Sequence, residues 1–201
     1  MPRSGLSRVA IVAAAAEMTD QPGVGFDGLS LSDLATKLHV RTPSLYKHIA
    51  GLPAMRRDLT LLGLRDLYQR LAQACVGRSR DDAVRALAAA YRSFAFEHPG
   101  LYGAAVRAPD SIDPELVEES NRIVLLVLQV LEGFGLRGDD AVHGVRCVRS
   151  CLHGFVALEA AGGFGLPLDR EETFRRLVNL LIDGLGASSA SGSAGTTESA
   201  S

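Results

Sequence analysis

The chain has 201 residues, of which 47% are hydrophobic, 22% charged and 5% aromatic, with no tryptophan. That balance excludes a disordered chain and allows an ample core of Leu, Val and Ala, which favours an all-α fold. The net charge of −2 argues against indiscriminate coating of nucleic acid, yet residues 1–57 carry +3 and the remainder −5, so a basic front end on an acidic body suits a negatively charged partner.

In chain order, Leu6 to Met18 reads as the first helix, with Ser4 as its expected N-cap, and Pro22 and Gly23 end it. The following "GVGFDG" fits the dinucleotide pattern G-x-G-x-x-G. That pattern needs a preceding strand, and an Ala-rich helix stands there instead, so a helix-to-helix loop is expected. Ser30 caps the next segment, in which Leu31, Leu34, Ala35 and Leu38 fall on one helical face. After "LHV", Thr42 is the expected cap of a second short helix with Pro43 at its first position. Two short helices across a tight turn form the helix-turn-helix pattern.

A long helix is predicted from about Pro53 to Gly77, with Leu64, Leu67, Tyr68, Leu71 and Cys75 inward. Another runs from Asp81 to Glu97, and a short one lies between Pro99 and Pro109. Asp113 and Pro114 open the next, which is apolar nearly all round from Ile123 to Leu131 and is expected to be central and surrounded. The last two helices are expected at Asp139–Ala161 and Asp169–Leu185. Residues 187–201 are Ala, Ser, Gly and Thr with one Glu, a composition expected to leave a disordered tail.

His143, Cys147 and Cys151 lie at i, i+4 and i+8. They span roughly 12 Å, too far for one metal ion to reach all three. They are read as small packing residues, and no metal or cofactor is expected. Three cysteines leave one odd and form no disulfide framework, and no apolar run is long enough for a membrane, so a cytoplasmic protein without membrane contact is expected. No G-x-S-x-G, H-E-x-x-H or Walker loop occurs, and Ser150 with His153 lacks an orienting acid, so no catalytic residue is assigned.

"LSLSDLATKLHVRTPSLYKHI" resembles the DNA-binding head of the TetR/AcrR (tetracycline-repressor-like) transcriptional regulators. "CLHGFVALEAAGGFG" is similar to the family's WHG-type C-terminal domains. Two positions depart from the family pattern: His39 replaces the usual Gly of the turn, and Leu52 replaces the usual phosphate-gripping Lys, whose place Arg56 or Arg57 would have to take. The resemblance implies an all-α protein of about nine helices. A three-helix head with the helix-turn-helix would occupy residues 1–53, and a ligand-binding and dimerisation bundle residues 54–186.

The resemblance makes Pro43 to Ile49 the recognition helix, and the residue pattern leads to the same segment. Leu45 and Ile49 turn inward, while Arg41, Thr42, Pro43, Ser44, Tyr46, Lys47 and His48 remain for a double-stranded DNA operator. Ser32 joins them from the preceding helix. The implied function is a homodimeric repressor released from a palindromic operator by a small-molecule effector. The expected effector pocket holds Tyr91, Phe94, Tyr102, Arg122 and His153. The expected dimer stripe is Phe174, Leu177, Val178, Leu181 and Leu185. The competing reading is a small helical enzyme or ligand carrier that does not bind DNA.

Overall fold

The structure, a computed structural model, describes residues 6–108 and 111–194. Among them the chain forms nine α-helices and no strand: α1 (Arg8–Thr19), α2 (Leu31–Lys37), α3 (Thr42–Leu45), α4 (Leu52–Cys75), α5 (Arg80–Glu97), α6 (Pro99–Ala105), α7 (Pro114–Glu132), α8 (Gly138–Ala160) and α9 (Arg170–Ala194). The all-α expectation of about nine helices holds. None of these helices is long and apolar enough to cross a membrane. The chain divides into two compact units. One comprises Met1–Tyr68 with Phe94–Ser120, and the other Gln69–Ser93 with Asn121–Ser201.

In the first unit, α1 begins two residues later than expected. The expected cap, Ser4, lies outside the described residues, and Ser7 does the capping, its hydroxyl accepting from the Ala10 N–H at 3.2 Å. The glycine-rich segment is a run of turns between two helices, as the absent strand predicted. Ser30 accepts from the Asp33 N–H at 3.2 Å and donates to the Asp33 carboxylate at 2.5 Å, a reciprocal lock on the start of α2. Leu34 and Ala35 are buried below it, with Leu31 and Leu38 half-buried. The α6 segment packs on α1 at close range. A Cβ at Gly100 would lie 2.2 Å from the Thr19 hydroxyl oxygen, so only glycine fits there. Asp20 fixes this junction by accepting from the Gly100 N–H at 2.9 Å.

The second unit is centred on α8 and α9, which pack against each other. Phe155 meets Phe174 and Phe164 with ring centroids 4.9 and 5.0 Å apart. The Arg92 guanidinium lies over Phe155 and Phe174 and pairs at 2.7 Å with Glu159 and Glu171. A mostly buried arginine is tolerated there because two carboxylates and two ring faces replace its water. Two expectations fail in this unit. The stretch from Ile123 to Leu131 is not surrounded: only Val127 and Leu131 are buried, and Leu125 is 58% exposed. An apolar sequence states what a surface would accept, not what covers it within one chain. The last helix also continues to Ala194 rather than stopping near Leu185, so the predicted tail begins inside a helix. Once a docked helix is nucleated, each further residue adds a hydrogen bond at little cost. Residues 195–201 lie outside the described residues.

Candidate nucleic-acid interface

The turn between α2 and α3 is closed by backbone hydrogen bonds. The Val40 N–H donates to the Ala35 carbonyl at 3.0 Å, and the His39 N–H to Thr36 at 3.1 Å. This 6→1 closure requires a left-handed residue, and His39 supplies it with φ +54°. The recognition segment then differs from the expected seven-residue rod. Arg41 is the N-cap residue, Thr42 is already helical, and no side chain caps α3. Only Thr42–Leu45 is helical, and turns follow through His48. Tight i→i+3 bonds flank that single helical turn: Ser44 N–H to Arg41 at 2.8 Å, and His48 N–H to Leu45 at 2.9 Å. Gly51, at φ +102°, redirects the chain into α4 and leaves no room for elongation.

The division of faces is as the sequence predicts. Leu45 and Ile49 are buried, while Arg41, Pro43, Lys47 and His48 are exposed and Tyr46 is 58% exposed. Thr42 and Ser44 are half-buried, and Ser32 is exposed at the start of α2, 3.0 Å from the Ser30 hydroxyl. Arg41, Lys47 and His48 take no part in the ion pairs seen among the described residues. They are surface donors in a unit whose other lysines and arginines, among the described residues, are ion-paired or hydrogen-bonded. Lys37 pairs with Glu17 at 3.2 Å.

The arginines expected to replace the missing lysine at Leu52 are engaged elsewhere. Arg56 donates from Nη2 to the Asp27 carbonyl at 2.9 Å and lies over Phe26, with its Nε buried and unpartnered. Arg57 binds both oxygens of Asp113 and also Glu115 at 2.7 Å. These hydrogen bonds raise its pKa further above an already high value. Neither is a spare phosphate anchor. No sequence signal could have shown this, because the partners lie 29 and 56 residues away.

The residues expected around an effector are divided between the units. Phe94 and Tyr102 are buried in the first. In the second, Tyr91 is buried, but Arg122 and His153 are exposed. Arg122 is exposed near the start of α7. The expected dimer stripe also needs correction. Phe174, Val178 and Leu185 are buried within their own unit, where Phe174 completes the aromatic cluster under Arg92. Leu177 and Leu181 are half-buried, and Leu180, 69% exposed, is a large apolar residue left outside on α9. On α8, Cys147 is exposed and Cys151 half-buried.

A sequence profile described as the tetracycline repressor-like C-terminal domain matches residues 84–181. The chain is 41% identical over 185 residues to the uncharacterized HTH-type transcriptional regulator YobS of Bacillus subtilis (strain 168), covering 92% of this chain and 95% of that one. It is 38% identical over 181 residues to the uncharacterized HTH-type transcriptional regulator Rv0681 of Mycobacterium tuberculosis, covering 90% and 82%. Among solved structures, a protein of unknown function from Rhodococcus sp. RHA1 superposes with TM-score 0.76 at 26% identity, covering 92% of this chain and 99% of that one. A TetR variant from Acinetobacter baumannii AYE in complex with minocycline superposes with TM-score 0.64 at 23% identity, covering 89% and 96%. Buried leucine and isoleucine behind an exposed polar segment, together with relatives matched over nearly their whole length, place the chain in the TetR family of helix-turn-helix transcriptional regulators.

Proposed function

We propose that this regulator is a homodimeric repressor that reads a palindromic double-stranded operator with the segment Arg41–His48 and is released by a small-molecule effector. The observation that carries this reading is the face division of that segment: Leu45 and Ile49 anchor it, Arg41, Tyr46, Lys47 and His48 stay in solvent, and Thr42 and Ser44 are half-buried. A short polar element of this kind enters the major groove. There Lys47 or Arg41 can donate to guanine O6 and N7, and Thr42, Ser44, Tyr46, His48 and Ser32 can hold phosphates. Pro43 fixes the entry angle of the segment. One such element spans only a few base pairs, so two copies related by a twofold axis would read half-sites about 34–36 Å apart.

The dimer surface is assigned to α8 and α9, with Leu158, Leu177, Leu180 and Leu181 at its centre. An effector is supported by the minocycline complex of the structural neighbour. Of the residues expected around an effector, the buried ones are Phe94 and Tyr102 in the first unit and Tyr91 in the second. Effector bound more tightly by the low-affinity conformer would shift the population away from DNA.

The test is selection of binding sites from random duplexes, followed by gel shift across a salt series. A palindrome should emerge. Lys47→Ala should weaken its binding and, if Lys47 holds a phosphate, reduce the slope of log K against log salt by about 1. Recovery of no preferred sequence would sink the reading.

A further inference from the structure

A hollow of about 280 Å³ opens within the second unit, where the end of α4, the start of α5 and the end of α7 meet. Its apolar lining includes Val76, just past α4, and Leu126 and Val130 from α7, with Ser79 and Gln129 beside them. Cys75 lies in the same wall, and burial pushes its thiol up against the lowering charge of Arg78, so it stays an uncharged, weakly polar surface. Two cations, Arg78 and Arg80, line the same hollow. Neither has a carboxylate partner among the described residues. Arg78 donates to the Ala74 carbonyl, and Arg80 to the Gly133 carbonyl at 3.1 Å.

Arg80 is held in place from three sides. Its guanidinium lies 5.1 Å from the Phe134 ring centroid. Its stem passes so close to Gly133 that a Cβ there would sit 3.4 Å from Arg80 Cγ. Its backbone takes φ +48°, a left-handed geometry that costs a non-glycine residue free energy. An arginine fixed in this way offers unused donors in a fork that suits a carboxylate.

We propose that this hollow is a second small-molecule site, taking an anionic amphiphile. The carboxylate sits on Arg80 and Arg78, and a short alkyl chain lies along Val76, Leu126 and Val130. The volume falls just below the roughly 300–1,000 Å³ common for ligand sites, which suits a chain of medium length rather than a polycyclic ligand. The site is formed entirely by the second unit and shares no residue with the effector set above.

The test uses the full chain labelled with nitrogen-15 and titrated with sodium octanoate. The amide signals of Val76, Ser79, Ala83 and Gly133 are expected to move saturably. Arg80→Gly removes the guanidinium and suits the left-handed backbone, so the fold is kept and affinity falls about tenfold or more. Val130→Trp fills the hollow and abolishes the shifts. Octanol, with the same tail and no charge, binds about tenfold more weakly or worse. The proposal is overturned if wild-type protein shows no saturable movement at these amides, if the movement persists in Val130→Trp, or if octanol binds as well as octanoate. None of these readouts involves DNA, so they fail or succeed separately from the operator reading.

Discussion

His39 shows how one residue can be asked for two incompatible things. The turn after α2 needs a left-handed backbone, and a β-carbon makes that conformation costly by roughly 1–2 kcal/mol. Yet His39 adopts φ +54°, because the bonds from Val40 to Ala35 and from His39 to Thr36 leave no other closure. The imidazole is exposed, so packing does not offset the cost. His39→Gly is therefore expected to raise stability by about 1 kcal/mol in urea unfolding, the relief of strain exceeding glycine's extra chain entropy. A lower midpoint would show that the side chain makes contacts worth more than the strain. Arg56 teaches the complementary lesson: its charge faces the recognition segment in sequence but is anchored on Asp27 and Phe26 in space. In the proposed operator complex, with Leu52 in place of the lysine usual in the family, phosphate contact would fall more heavily on Arg41, Lys47 and His48.

At the scale of elements, the first unit is braced at the start of α7. Asp113 accepts from the Leu116 N–H at 3.3 Å and from Arg57, while Glu115 bridges Arg57 and Arg65 at 2.7 and 2.8 Å. Arg65 continues to Glu119 at 2.7 Å, and Arg8 binds Asp58 next to Arg57. Arg57 and Arg65 are eight residues apart on α4, so both face the same partner helix. Hydrogen bonds from Arg57 hold the Asp113 and Glu115 carboxyls below their ordinary range. A lowered folded pKa means stability that is present above the unfolded value near pH 4 and is lost as pH falls through the folded value, because the unfolded chain binds the protons first. Asp113→Asn and Glu115→Gln should each reduce the proton uptake on unfolding around pH 4, by less than one proton per site, and flatten the acid limb of stability against pH. An unchanged limb in the double variant would show the brace to be electrostatically idle. This network was illegible beforehand, since helical periodicity says which residues share a face but not which distant face answers it. The same limit explains the other misses. Ser30 and the Leu34–Ala35 face were readable because caps and faces are local. The exposure of Leu125 and the inward turn of Phe174 depend on neighbours dozens of residues away. α3 is shorter than the polar run predicts, its single turn giving way to an i→i+3 turn from Leu45 to His48.

At the scale of the molecule, the second unit presents an outer surface that water alone covers poorly. Helical spacing sorts the exposed side of α8 into two rows. Arg146, Arg149 and His153 form one, and His143, Cys147, Cys151, Gly154 and Leu158 the other. Leu158 is 52% and Leu180 69% exposed, and a Cβ at Gly154 or Gly184 would meet nothing within 4 Å. A row of small and branched residues without Lys, Arg, Asp or Glu suits an isologous contact between two copies, in which residue i meets residue j and j meets i, and like charges would face each other only near the axis. Twofold symmetry also doubles the effect of each substitution. If burying Leu180 stabilises the dimer by about 2 kcal/mol per copy, its removal costs about 4 kcal/mol and raises the dimer Kd about a thousandfold. Leu180→Glu adds the desolvation of two carboxylates, so about a thousandfold is its minimum. Sedimentation at micromolar concentration should then show a dimer for the wild type and a monomer of unchanged helicity for the variant. On DNA the variant should lose the palindrome while retaining weak contact with a half-site. Dimers that persist at wild-type concentrations in Leu180→Glu would move the interface elsewhere, to the exposed apolar side of α7 around Leu125.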